Sequence, residues 1–269
     1  MKYLVCILTS SNLNLLKRCY ISVKNQKGIN FDITIIVNSL DNNYYNQVVR
    51  LGLSCKVINT VSNGRAGKGH NSCLNYFLGT NYDRLILIDG DDLFYPNAFT
   101  KFKDLPVDLD ILHTFINDKY TKDGTIQTIK NPEKLKDNLH ILFQNPYKNF
   151  VNCKTPSRLI IFSKNAAEKI KYCENSRLFD DLKAFISLLH HKELKSYYTL
   201  NNDIYLYNAD NPESLTKKYK VYHINQEIKA FNMYKSQFRI NWEEDIRHLK
   251  MLDIPKTEID KKKFLNNSF

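Results

Sequence analysis

Glycine and proline are scarce in this chain, 8 and 7 among 269 residues, and it contains no CxxC pair, no zinc-type Cys/His spacing and no apolar run of membrane-spanning length. Each absence removes a class of protein. The six cysteines (Cys6, Cys19, Cys55, Cys73, Cys153, Cys173) have neither CxxC pairs nor a partner histidine, so they read as small buried hydrophobes of a reducing compartment. No segment approaches the length of a spanning helix, and the opening stretch Met1–Leu8 is too short for a signal peptide, so a soluble, cytoplasmic protein is expected. A net charge of +11 would suit nucleic acid, an anionic membrane surface or a phosphorylated small molecule. Zinc-finger spacing, aromatic-basic motifs and an isolated basic arm are all missing, and the densest run, Lys261-Lys262-Lys263, sits in a polar tail, so no nucleic-acid partner is expected. A hydrophobic fraction of 43% excludes a disordered chain, and neither repeats nor a clear linker break it up.

What is present is an alternation. Tyr3–Thr9 is a short apolar run that stops at Ser10-Ser11-Asn12, a helix-capping group, after which Leu13, Leu16, Cys19, Tyr20 and Val23 recur at helical spacing to about Gln26. Residues 31–37 form a second buried-type strand, 44–51 a short helix, 55–58 a strand, 69–78 a helix, and Arg84–Ile88 a strand that runs straight into Asp89-Gly90-Asp91-Asp92. Strand and helix in turn predict βαβ units and an open, largely parallel α/β sheet, whose ligands bind beyond the carboxyl ends of the strands. After Asp92 the pattern loosens. Strands are expected over 109–116 and 125–129 around a turn at Lys122-Asp123-Gly124, then at 159–162, a helix capped by Ser163, a strong helix over 179–190, a strand or strand pair over 197–207, and an amphipathic helix with Ile224, Ile228, Phe231, Tyr234 and Phe238 on one face.

Three carboxylates in four residues repel one another unless a cation or hydrogen-bond donors neutralise them, and hard divalent ions that share their coordination with phosphates take oxygen ligands of this kind. An acidic turn that simply ends the strand is the plainer alternative. Its place at the ligand-binding edge of a sheet favours the functional reading. The loop Asn63-Gly64-Arg65-Ala66-Gly67-Lys68-Gly69-His70-Asn71 is no P-loop, because GxxxxGK[ST] is absent; it is a basic, glycine-rich entry to a helix that can meet an anion.

Taken in order, these segments resemble the family 2 glycosyltransferases of the GT-A fold, well over about the first hundred residues and loosely beyond. Val5–Asn12 is similar to the opening strand and its loop, placing Thr9, Ser10 and Asn12 at the donor. Leu15–Val23 with Asn25-Gln26 is similar to the first helix of the family, and Ile35–Ser39 to the strand that normally carries an Asp pair contacting the nucleotide, with Asn38 in the first Asp position. Lys68-Gly69-His70-Asn71 is similar to the small-Arg-Asn helix start, with His70 replacing Arg. Asp89-Gly90-Asp91-Asp92 resembles the DxDD form of the DxD motif, with Pro96 at the usual place, and Arg177–Leu182 resembles the acidic pair that opens a helix. The resemblance implies that Thr9, Ser10, Asn12, Asn38, Lys68, Asn71, Asp89 and Gly90 bind the donor. It also implies that Asp91 and Asp89 hold Mn²⁺ or Mg²⁺, that His223 is a candidate third ligand, and that Asp181, beside Asp180, is the base of inverting transfer. Helix capping is a compatible role for both acids. Near Ser214-Leu215-Thr216 relatives carry an Arg; Asn208 is not one, so Lys217 or Lys218 is the candidate charge.

The expectation is thus a metal-dependent enzyme that moves a hexose-type sugar from a nucleotide-sugar donor, UDP-sugar favoured, to a glycan or other hydroxyl acceptor, with peripheral membrane contact if that acceptor is lipid-linked. The expected organisation is a GT-A domain over 1–218, its donor-binding part at 1–105 and its acceptor and catalytic part at 106–218, then a C-terminal helical extension over 219–269. Two alternatives stand beside it. A catalytically silent GT-A scaffold would bind an anionic glycan or nucleic acid. A nucleotidyltransferase would carry its Gly-rich loop directly after the first strand, where Thr9–Asn12 has no glycine.

Overall fold

The computed structural model describes residues 1–115, 118–121, 125–128, 157–176, 178–199, 203–209, 211–212, 221–238, 249–252, 254, 259 and 264. Its first third follows the expected alternation: β1 (Lys2–Thr9), α1 (Leu13–Lys24), β2 (Asn30–Val37), α2 (Asn42–Arg50), β3 (Lys56–Asn59), α3 (Ala66–Leu78) and β4 (Arg84–Asp89). β1 lies between β2 and β4, parallel to both, and β3 adds in parallel outside β2. Alternate residues of a strand point to opposite faces, and here both faces are covered, which is why β1 reads as one continuous apolar run. Tyr3, Val5 and Ile7 pack on Leu16, Cys19, Tyr20 and Val23 of α1 and on Tyr44 and Val48 of α2. Leu4, Cys6 and Leu8 face the other way, into a cluster containing Cys73, Leu74 and Phe77 of α3.

Beyond Asp92 the chain departs from a simple continuation. β5 (Leu93–Phe94) leaves the main sheet, β6 (Ile111–Phe115) returns to it, and β7 (Asp118–Tyr120) pairs with β8 (Ile126–Thr128) as an antiparallel hairpin elsewhere. β9 (Ser157–Ser163) enters between β4 and β6, antiparallel to both. It is followed by α4 (Lys164–Lys169), capped by Ser163 Oγ accepting from the Ala166 N–H at 3.1 Å, by α5 (Asp180–His190), β10 (Ser196–Thr199), β11 (Tyr205–Asn208), α6 (Val221–Ser236) and β12 (Lys250–Met251). The main sheet has eight strands in the order β12-β10-β6-β9-β4-β1-β2-β3, and a second, four-stranded sheet runs β5-β11-β7-β8. The expected strand pair over 197–207 is therefore divided between the two sheets. α5 lays Ala184, Phe185, Leu188 and Leu189 on the same face of the main sheet as α3. The region expected as a helical extension supplies α6, the edge strand β12 and Phe264, whose ring lies 5.1 Å from that of Tyr95. Among the described residues no helix is long and apolar enough to cross a membrane. Cys153 and the polar stretch 131–149 lie outside the described residues.

Candidate active site at the carboxyl edge of the sheet

The Gly90 N–H donates to Leu8 O at 2.6 Å, and a Cβ on Gly90 would stand 2.9 Å from that oxygen and 3.1 Å from Thr9 Cβ, so only glycine lets the chain turn this tightly against β1. The three carboxylates that follow from this turn have unlike surroundings. Asp92 is fully buried and held by the Tyr205 hydroxyl at 2.5 Å and the Asn208 N–H at 2.8 Å, which fastens the turn to β11. Burial, with Asp91 beside it, raises its pKa well above the usual carboxylate range. Asp89 gives one oxygen to His70 Nε2 at 3.0 Å and the other to Arg158 Nη2 at 3.1 Å. Burial opposes its charge, yet Arg158 and His70 outweigh burial and hold it below the ordinary Asp value. Asp91 accepts from Asn211 Nδ2 at 2.6 Å, and burial and the neighbouring Asp89 charge raise its pKa. Oxygens of Asp89, Asp91 and Asp92 lie within 4.8 Å of one another, the oxygen donors that a hard divalent cation takes.

The opposite wall is the start of α5. Phe179 takes the helix-capping position in the left-handed conformation (φ 63°, ψ 22°), and Asp180 and Asp181 form the first turn. His70 Nδ1 meets Asp180 Oδ2 at 3.1 Å, so the imidazole bridges β4 to α5, one nitrogen to each acid. Burial disfavours the imidazolium, but Asp89 and Asp180 overcome it and push the His70 pKa up to about 10, which makes both nitrogens donors. The Arg158 guanidinium pairs with Asp181 as well as Asp89 and lies over the Tyr207 ring, 5.9 Å from its centroid. Asp181 keeps 21% of its side-chain surface accessible. Burial raises its pKa to about 7 against the pull of Arg158, with Asp180 adding to the rise. His70, Asp89, Arg158, Tyr172, Asp181 and Tyr205 enclose a cavity of about 10 Å³, room for about one water.

The other expected donor residues spread along the same edge. Thr9 Oγ1 donates to the Tyr44 hydroxyl at 2.6 Å, which donates to Ser11 O at 2.9 Å; Ser10 is exposed. Asn12 caps α1, its Oδ1 accepting from the Leu15 N–H at 3.2 Å. Asn38 is 3% exposed, its Nδ2 donates to Arg65 O at 2.7 Å, and its Oδ1 has no hydrogen-bond partner among the described residues. Lys68 pairs with Glu174 at 3.3 Å, and Asn71 bonds the Tyr172 backbone through both ends of its amide (2.9 Å each), so these two tie α3 to the segment before α5. The side chain of His223, and all of Ser214–Lys218, lie outside the described residues.

Arg158, Tyr205 and Asn211 were not singled out from the sequence. Arg158 had one signal, a cation at the head of the apolar run Leu159–Phe162, where burial demands a counter-charge. Asn211 had none.

The sequence matches no protein-family model and no curated protein. The fold has clear neighbours. Staphylococcus aureus TarS 1–349, in complex with UDP-GlcNAc, superposes with a TM-score of 0.58 at 16% identity, over 92% of this chain and 70% of that one. Another structure of S. aureus TarS gives 0.56 at 13% identity, over 92% of this chain, which spans 42% of the length of that one. With its parallel-rich sheet flanked by helices and an acidic turn at the carboxyl edge, the chain has the GT-A fold.

Proposed function

We propose that this chain is a metal-dependent, inverting glycosyltransferase that moves a sugar from a UDP-sugar to a hydroxyl of a glycan or other acceptor. One observation carries the reading: His70 and Arg158 draw the DxD-type turn and the α5 acids together, so that a charged Asp89 and a proton-accepting Asp181 face each other at the ligand-binding edge of a GT-A sheet. TarS, which shares the fold, has been solved with UDP-GlcNAc and with UDP. Asn38 Nδ2 is committed to Arg65 O, which leaves Oδ1 as a buried acceptor that a base donor such as uracil N3–H or cytosine N4–H would satisfy, without choosing between bases.

In this reading Asp91, with Asp89 beside it, would hold Mn²⁺ or Mg²⁺, which when bound offsets the negative charge gathering on the departing diphosphate. Asp181 takes the proton of the acceptor hydroxyl. The freed oxygen attacks the anomeric carbon from the face opposite the diphosphate, the bond from that carbon to the diphosphate oxygen breaks, and UDP leaves with the electron pair. Arg158 holds Asp181 in place, and His70 holds Asp180 and Asp89 at a fixed separation.

Thermal unfolding with UDP, GDP, CMP and dTDP, each with and without Mn²⁺, tests the donor site, because a ligand that binds only the folded state raises the midpoint. The expected result is a UDP shift that needs Mn²⁺ and disappears in Asp91→Asn. Strong polyanion binding that ignores Asp91→Asn, with no nucleotide shift, would instead identify a silent scaffold.

A further inference from the structure

Asp180 and Asp181 are positioned by a residue that disfavours its own backbone conformation. Phe179 is one of three non-glycine residues with positive φ among the described residues; the other two are asparagines, which tolerate the left-handed region, whereas a bulky aromatic does not adopt it unaided. No side-chain hydrogen bond caps the helix here, and the Phe179 carbonyl already accepts the first helical bond, from the Lys183 N–H at 2.9 Å. The Phe179 ring meets the edge of Phe231 at 6.0 Å, and Phe231 is fully buried in α6. The Lys183 ammonium also lies 5.9 Å from the centre of the Tyr234 ring, and His190 at the end of α5 meets Phe238, just past α6, at 5.3 Å.

We propose that Phe231 is a positioning residue: by fixing the Phe179 ring it keeps Phe179 left-handed, and this sets Asp180 against His70 and Asp181 against Arg158. The part of the site supplied by α5 then depends on α6, a helix that contributes no described side chain to the cluster itself. The proposal rests on Asp181 being the base for its catalytic consequence, but its structural content is independent of any activity.

The test uses the full chain and two readouts. The ring-nitrogen NMR signals of His70, assigned through their loss in His70→Gln, report the Asp180 contact without turnover. Steady-state transfer with a UDP-sugar reports the base. Phe231→Ala is expected to move the His70 Nδ1 signal and to lower kcat roughly tenfold to a hundredfold while donor KM stays within about twofold, because the displacement is confined to the α5 wall. Adding Phe179→Asn to Phe231→Ala is expected to return both readouts towards wild type, since asparagine holds the left-handed conformation by itself. If Phe231→Ala does not fold, Phe231→Leu, which fills most of the volume without the ring, is read the same way, and Phe179→Asn added to it must restore both readouts. An unmoved His70 signal, or a loss that Phe179→Asn leaves uncorrected, overturns the proposal. Full turnover in Asp181→Asn would overturn the assignment of the base while leaving the His70 result standing.

Discussion

The two walls of the cleft are built from the same residue type and differ in what surrounds it. On the β4 turn, Asp89 has a cation on each oxygen and is held below its ordinary pKa; on α5, Asp181 shares one of those cations but sits beside Asp180, and its pKa is pushed up to about 7 by burial and then by that neighbour, against Arg158. One wall therefore offers a permanent charge for binding and the other a proton acceptor near neutral pH. Their difference follows from placement alone, since an isolated Asp on either wall would titrate near 4.

The sharpest way to break this division of labour is to neutralise one wall at a time. Asp181→Asn is expected to lower transfer by about 10²- to 10⁴-fold, the usual worth of a general base, while Mn²⁺-dependent UDP stabilisation survives. Asp91→Asn should instead lose the Mn²⁺-dependent UDP stabilisation and transfer together, because transfer needs the bound donor. Loss of UDP stabilisation in Asp181→Asn as well would mean that the walls do not act separately.

Arg158 is shared by both walls, so its removal should cost stability as well as activity. Arg158→Met leaves Asp89 and Asp181 without their common partner at a site where the Arg158 side chain is only 16% exposed. A loss of about 3–5 kcal/mol in unfolding free energy is expected from denaturant titration. Arg158→Lys keeps the charge but not the two-pronged geometry, and should fall between.

The pH dependence sharpens the comparison further. With Asp181 as the proposed base, active in its charged form, transfer should rise as pH increases through about 7. Stability should move the opposite way. With a folded pKa above that of the unfolded chain, Asp181 contributes stability that is fully present below about pH 4 and is lost as pH rises through about 7, and His70 likewise contributes below about pH 6.5 and loses its contribution as pH rises towards about 10. Asp181→Asn should remove the lower of these two steps in a stability profile and leave the upper one.

The smallest expected effect lies at Asn38. Asn38→Leu removes the buried acceptor and should weaken UDP binding by roughly 1 kcal/mol, about fivefold, measured calorimetrically. Unchanged UDP binding would remove Asn38 from the donor site.

The first part of the fold, through β4, was legible because its information is local. The apolar runs of β1, β2 and β4 and the helical spacing of α1 sit within a dozen residues each, and the order strand, helix, strand leaves a parallel sheet as the economical arrangement. The acidic turn was legible for the same reason, since Asp89, Gly90, Asp91 and Asp92 are consecutive. What each acid does was not. Their residue types are identical, and contacts from α3, β9, β11 and the Asn211 loop separate the buried Asp92 from the paired Asp89 and the partly buried Asp91.

The sequence by itself determined the alternation of the first hundred residues, the acidic turn at the end of β4 and the acidic pair at the head of α5, each through propensities and periodicities that act over a few residues. Only the tertiary structure decided that β9 runs antiparallel to β4, which brings Arg158, at the amino end of its own strand, to Asp89 at the carboxyl end of the next. It also decided that His70 joins Asp89, 19 residues further on, to Asp180, 110 residues further on. Strand direction and pairing in that half are set by burial on both faces of a sheet and by long-range charge neutralisation. Neither leaves a repeating pattern along the chain.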